Sequence, residues 1–217
     1  MLANALLAGG VLTQEEAQDG VNSYGGAYKA AFTARFAAKM GLREDAFDTD
    51  LYASLTELMA EDKADFTRLF RTLGRVPSSP AAAGGGGGAA QTDAPSPDAV
   101  DSLLQPIASA LPASLSPSRR AAWASWVARY RSALAAGTAD GRDGGSSQDA
   151  VNPLYVPRNY LLQISIEAAE KGDLKPLHRL LDALRAPFTE KAEYEDLAAA
   201  PPDWASRPGV CFLSCSS

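Results

Sequence analysis

The sequence predicts a mostly α-helical protein, and three observations predict it. Apolar residues recur at i, i+3, i+4 and i+7 in successive blocks, the spacing of one helix face. The blocks open on helix-start signatures, a Thr-x-x-Glu once and a Ser-Pro twice. No stretch carries a convincing strand pattern.

Residues 13–42 read as a long helix. Thr13-Gln14-Glu15-Glu16 matches a capping box, in which Thr13 and Glu16 satisfy the first unpaired N–H groups. Tyr24, Tyr28, Phe32, Phe36 and Met40 then recur every four residues as one aromatic stripe, and Gly41 stops the helix. A second helix covers about 49–61, with Leu51, Leu55, Leu58 and Met59 on one face. A third, shorter one carries Phe66, Leu69 and Phe70. The next stretch, 76–96, is mainly Gly, Ala, Pro and Ser without periodicity. It offers too little apolar surface to offset its ordering entropy and is expected to be a disordered insert.

Helices resume at Ser96-Pro97 and Ser116-Pro117, each an N-cap serine before a proline at the first helical position. Val100, Leu103, Leu104, Ile107 and Leu111 line the first. Trp123, Trp126, Val127, Tyr130 and Leu134 line the second, at the same amphipathic spacing. A Gly/Asp-rich loop follows. The last block predicts a helix over about 158–171, a Gly172-Asp173 turn with Asp173 as N-cap, and a helix over 174–185 ended by Pro187. A short helical piece near 190–200 and an irregular tail complete the chain.

Composition narrows the function. The chain has 217 residues, 26 acidic against 20 basic, for a net charge of -6. That weighs against a nucleic-acid binder, which needs a basic face for phosphates. No apolar run approaches the roughly 18 residues of a membrane-spanning helix. The start, "MLANALLAGGVLTQEE", lacks a basic region and reads as neither signal nor transit peptide. The 2 cysteines are too few for a disulfide framework or a four-ligand zinc site, and they fit a reducing compartment.

The local motifs read blandly. "GGGGG" at 84–88 lacks the preceding strand and following helix of a phosphate loop. "ADF" at 64–66 lacks the glycine of a kinase metal-binding motif. His178 is the only histidine, which removes most histidine-centred catalysis, and it stands beside a Leu177/Leu181/Leu184 stripe as a structural residue. "IEAAEKGDLKPLHRLLDAL" is like one ankyrin hairpin, but no 33-residue repeat accompanies it. Cys211 and Cys215 are four apart, not a Cys-x-x-Cys pair. Read alone, Cys211 is a packing residue and Cys215 a terminal thiol.

The block "NPLYVPRNYLLQISIEAAEKGDL…LHRLLDALRAPF…PPDWASRPGVCFLSCSS" resembles the C-terminal end of the selenoprotein O (SelO) family of protein adenylyltransferases. Asn152, Pro153, Arg158, Asn159, Gln163, Glu167, Ala168, Ala169, Gly172, Asp173, Pro187, Pro201, Pro202, Trp204 and the closing Cys215-Ser216-Ser217 carry the resemblance. "YGGAYKAAFTARFAAKMGL…DLYASLTELMAEDKADFTRLFRTL" and "WASWVARYRSAL" are similar to the family as well. The resemblance covers about 12–75, 119–136 and 152–217, and leaves out 76–118 and the Gly/Asp-rich loop.

The resemblance implies a protein-kinase-like fold that binds ATP in a flipped orientation. It implies transfer of AMP, with magnesium, to Ser, Thr or Tyr hydroxyls of protein substrates. It also implies that Cys215 occupies the selenocysteine-equivalent position, where a redox-active thiol can pair with a cysteine near the activation loop. The family's nucleotide loop, lysine–glutamate pair and metal-binding Asn and Asp lie upstream of anything present here. The chain is therefore expected to be a C-terminal fragment: no catalytic, cofactor-binding or metal-binding residue of its own, inactive alone, and Cys215 as its one redox position. The expected organisation is a helical C-lobe segment over 1–75, the insert over 76–96, a helical pair over 97–137, a loop over 138–151, and a hairpin with the Cys-Ser-Ser tail over 152–217. Protein substrates are the expected partners, with neither nucleic acid nor membrane. Localisation by resemblance is mitochondrial in a eukaryote and cytoplasmic in a bacterium. Two other readings stay open: a non-enzymatic helical interaction module, and a thiol-redox protein acting through Cys215.

Overall fold

The computed structural model describes residues 2–78, 96–137, 148–207 and 210. Among them all regular structure is helical. The α-helices are α1 (Leu2–Ala8), α2 (Gln14–Lys39), α3 (Thr49–Asp62), α4 (Phe66–Leu73), α5 (Pro97–Leu104), α6 (Pro117–Gly137), α7 (Asn159–Ala169) and α8 (Lys175–Arg185). Short 3₁₀ turns span Glu44–Ala46, Gln105–Ala110, Ala192–Ala198 and Asp203–Ser206.

Capping chemistry sets the helix ends. Glu16 N–H donates to Thr13 Oγ1 at 3.2 Å, and Thr13 N–H donates to Glu16 Oε2 at 2.8 Å, closing the expected box at the start of α2. These hydrogen bonds hold the Glu16 carboxyl below its ordinary range. At the other end Gly41 adopts φ +66, and the N–H groups of Gly41 and Leu42 donate back to Ala38 and Ala37, a Schellman motif. Asp48, Asp65, Ser96 and Ser116 each accept a backbone N–H at the start of α3, α4, α5 and α6.

Two apolar cores result. The first packs the C-terminal half of α2 with α3, α4, α5, the Gln105–Ala110 turn and α6. Met40, Leu55, Leu69, Phe70, Leu73, Ile107, Trp123 and Tyr130 are wholly enclosed there. The second is smaller: Tyr155, Tyr160, Leu161, Leu180, Ala183 and Leu197 join α7, α8 and the Ala192–Ala198 turn.

Several details differ from the periodicity. The helix expected to run on to Leu111 leaves α geometry after Leu104, because Pro106 has no N–H and its ring meets the carbonyl four residues back. Val100, Leu104 and Ile107 stay buried across the change. The N-cap of α8 is Leu174, not Asp173, although Asp173 Oδ1 still accepts Lys175 N–H at 3.0 Å. The buried face of α8 is Leu180 and Ala183, while Leu177 and Leu181 are exposed, since α7 and the 192–198 turn cover only one side of the helix. The tail expected to be irregular contains the Asp203–Ser206 turn, and Trp204 packs edge-on against Tyr160 at 5.9 Å. The expected insert lies almost wholly outside the described residues, but Val76, at its first position, belongs to the first core.

The aromatic stripe of α2 exists as a continuous ladder, with ring centroids 4.6–6.0 Å apart from Tyr24 to Phe36. Its two ends differ. Met40 is buried and Phe36 packs on the first core, whereas Tyr24 and Tyr28 are 67% and 56% exposed. Among the described residues no helix is long and apolar enough to cross a membrane.

Candidate functional site

The polar chemistry of the chain concentrates where the two cores meet, around α4. This helix turns Leu69, Phe70 and Leu73 into the first core and presents Thr67, Arg68, Arg71 and Thr72 on other faces. The Arg71 side chain is 8% exposed, and all three of its guanidinium nitrogens are engaged. Nη1 donates to the carbonyls of Asp149 (2.8 Å) and Asn152 (3.0 Å), Nη2 donates to that of Phe188 (3.2 Å), and Nε lies 3.1 Å from Asp149 Oδ1. A rigid planar fork with five donors can hold several acceptors from separate segments at once, which a lysine cannot do. The Asp149 carboxylate offsets the cost of enclosing the charge.

A second set of contacts closes the C-terminus of α2, whose last carbonyls have no partner within the helix. Lys39 O accepts from Asn152 Nδ2 at 2.8 Å and Gln148 Nε2 at 3.2 Å. Gln148 Nε2 also donates to the Tyr130 hydroxyl (3.0 Å), which in turn donates to Met40 O at 2.7 Å. Burial pushes the Tyr130 hydroxyl well above its ordinary pKa. Beside this cluster, Arg158 Nη1 sits 2.8 Å from Asp65 Oδ2, with both side chains 14% exposed. Farther along, Asp62 receives Arg119 Nη2 at 2.7 Å and Trp123 Nε1 at 2.8 Å, tying α3 to α6. The Arg119 hydrogen bonds, chiefly, hold the Asp62 carboxyl below its usual range.

These arrangements are those of latches. Every described carboxylate with a shifted pKa is shifted down, namely Glu16, Asp45, Asp62 and Asp196, by partners that favour the charged form. A general acid working near neutral pH needs the opposite shift. Among the described residues no group of three or more His, Cys, Asp or Glu could hold a metal ion. His178 is exposed on α8. Cys215, the expected redox position, lies outside the described residues, as does Cys211.

Several of the described residues that carried the resemblance are parts of the second region's scaffold. Asn152 and Arg158 bind the first region, Gln163 Nε2 donates to Glu167 Oε1 at 3.0 Å along α7, and Trp204 covers Tyr160. Arg71 and Gln148 were not singled out. The available signal was an arginine set within the apolar run Leu69-Phe70-Arg71-Thr72-Leu73, and Gln148 stood in a loop with no pattern to mark it.

Two clefts flank this junction. One, of about 350 Å³, lies between α4 and the Ala192–Ala198 turn. The other, of about 540 Å³, lies between Lys63, Phe66, Arg158 and the Pro201-Pro202-Asp203 stretch.

Among the described residues, fold and site together define a mostly helical unit of two cores, with polar groups that bind segments of the chain to one another. The family model of the protein adenylyltransferase SelO matches residues 1–185, and the chain belongs to that family. The match runs through 76–118, which the resemblance had left out. Relatives agree. The protein nucleotidyltransferase YdiU of Yersinia pseudotuberculosis serotype O:1b (strain IP 31758) is 35% identical over 209 residues, covering 96% of this chain and 37% of that protein. YdiU of Myxococcus xanthus (strain DK1622) is 35% identical over 217 residues, 100% of this chain and 38% of the relative. YdiU of Dechloromonas aromatica (strain RCB) is 36% identical over 197 residues, 90% of this chain and 34% of the relative. The chain thus spans little more than a third of the length of the curated relatives it matches.

Proposed function

We propose that this chain is the helical C-terminal portion of a SelO-type protein adenylyltransferase, part of its kinase-like C-lobe. The whole protein would transfer AMP from ATP, with magnesium, to Ser, Thr or Tyr hydroxyls of protein substrates. The observation that carries this reading is the near-complete coverage of the chain against 37% coverage of the relative. In such a transfer the hydroxyl oxygen bonds the α-phosphorus, pyrophosphate leaves, and the hydroxyl proton passes to a base. None of these roles falls to the present chain on this reading. On this reading the ATP, magnesium and proton-transfer chemistry resides in the family length that this chain does not span, so no step is assigned to its own residues.

The exposed end of the molecule supports the reading. Leu2 on α1, Val11 in the link that follows, and Val21, Tyr24 and Tyr28 on the first half of α2 stand in solvent. Leu2, Val21 and Tyr24 line one apolar depression, and exposed apolar surface of that kind fits a contact with further protein.

The test is AMP transfer. Purified 217-residue chain, labelled ATP, magnesium and a protein acceptor should give no labelled acceptor, whereas the polypeptide extended upstream to full family length should label it. Robust transfer by the chain alone sinks the fragment reading. No transfer by the extended protein sinks the activity.

A further inference from the structure

We propose that the cleft between α4 and the Ala192–Ala198 turn binds a small phosphoryl-bearing molecule, held by Arg68 and Arg75. The first observation is electrostatic. This is an acidic chain, and its arginines are generally neutralised: Arg43 by Asp45, Arg71 by Asp149, Arg119 by Asp62, Arg158 by Asp65, Arg179 by Asp196 and Arg185 by Asp182. Arg68 and Arg75 line one cleft, and among the described residues neither forms an ion pair with a carboxylate. Arg68 projects from α4 and Arg75 from the turn just past its C-cap Gly74, and both line the same cleft. Either long side chain can reach a ligand between them.

The second observation is the rest of the lining. Thr67 and Ser109 bring hydroxyls to the same cleft, and neither side chain has a protein hydrogen-bond partner among the described residues. Arg71, in the wall between the two free arginines, is occupied by backbone carbonyls and cannot neutralise or replace them. The cleft therefore offers two guanidinium forks and two hydroxyls as donors. Its one carboxylate, Glu195, stands on the opposite wall without pairing with either arginine.

Those donors fit an oxyanion. With Glu195 counted, the two unpaired arginines still leave the cleft net positive, and a doubly charged anion gains more from that field than a singly charged one. A phosphoryl group carries up to two charges and three acceptor oxygens, and guanidinium forks match it in pairs of hydrogen bonds. The volume, about 350 Å³, exceeds that of bare phosphate and falls in the range of small-molecule sites. Leu154 and Ala198 supply apolar wall for the remainder of the ligand.

Calorimetric titration of the 217-residue chain with inorganic pyrophosphate, at ionic strength fixed with sodium chloride, tests the proposal. Saturable one-to-one binding is expected. The Arg68→Gln/Arg75→Gln double variant should weaken it by about tenfold or more. Arg35→Gln, which removes an exposed arginine on α2 away from the cleft, should leave it unchanged. Circular dichroism checks that each variant is folded, and should Arg68→Gln disturb α4, the exposed Arg75→Gln alone carries the same expectation of weakening. Absence of saturation up to millimolar pyrophosphate, or equal weakening by Arg35→Gln, overturns the site. Neither result bears on AMP transfer, so this proposal and the preceding one stand or fall separately.

Discussion

The first core of this protein gathers side chains from five α-helices and encloses 20 residues, while the second encloses 6 from a hairpin, the segment leading into it and a 3₁₀ turn, counted among the described residues. A cluster of six buried side chains removes too little apolar surface to offset the ordering of some fifty residues, by the roughly 1–2 kcal/mol that each backbone costs. The polar contacts between the regions supply what the second lacks. Arg71 holds the carbonyls of Asp149, Asn152 and Phe188, Asn152 grips the end of α2, and Arg158 pairs with Asp65. One region is stabilised by its own packing, and the other by being tied to the first.

The largest effect tests that dependence from the side of the stronger region. Trp123→Ala removes a fully enclosed indole that also donates to Asp62, and a cost of about 3–5 kcal/mol is expected. If the second region folds only against the first, the thermal transition should stay single and move down, and hydrogen exchange should accelerate in α7 and α8 as much as in α3. Protection of α7 and α8 that survives this variant would break the asymmetry.

Arg71→Met works in the other direction. It keeps the length of the side chain but leaves three carbonyls without their donor and the Asp149 carboxylate without its partner. About 3 kcal/mol is expected. The loss should be uneven: hydrogen exchange should speed up over 148–197 while α3 and α6 keep their protection. Uniform acceleration across both regions would show that Arg71 supports the first core as well.

The same asymmetry governs what could be read from sequence. In the first region five apolar positions of α6, from Trp123 to Leu134, are all buried as their spacing requires, because a helix enclosed on a broad face must repeat that face in its sequence. The capping box and the Gly41 stop are legible for the same local reason. Periodicity fails on α8, where Leu177 and Leu181 keep the spacing of a buried stripe yet face outward. A two-helix hairpin has only one neighbour to hide against, and sequence does not say which of two apolar stripes it covers. The latches are less legible still. Arg71 reaches residues 78 to 117 positions away, and it binds their backbone carbonyls, which every residue carries. No side-chain pattern encodes such a contact, so the resemblance marked Asn152 and Arg158 individually, covered Arg71 only as one position of a longer stretch, and left Gln148 out.

The smallest expected effect lies at the point where the two regions touch α2. Gly41 has φ +66, and a Cβ there would come within 2.7 Å of Gln148 Cδ and 2.8 Å of its Oε1. The amide is the far end of a flexible side chain, yet it cannot simply swing away: Gln148 is 1% exposed and donates to both Lys39 O and Tyr130 Oη. Gly41→Ala therefore adds left-handed backbone strain to the loss of buried hydrogen bonds, and about 2 kcal/mol in chemical denaturation is expected. A double-mutant cycle separates the two contributions. Gln148→Ala alone loses the hydrogen bonds, and Gly41→Ala on that background retains the strain without the clash. The double variant should accordingly cost less than the sum of the singles. Strict additivity would mean that Gln148 relocates freely, so that the end of α2 is closed by Asn152 alone and the linkage between the two regions is narrower than these contacts indicate.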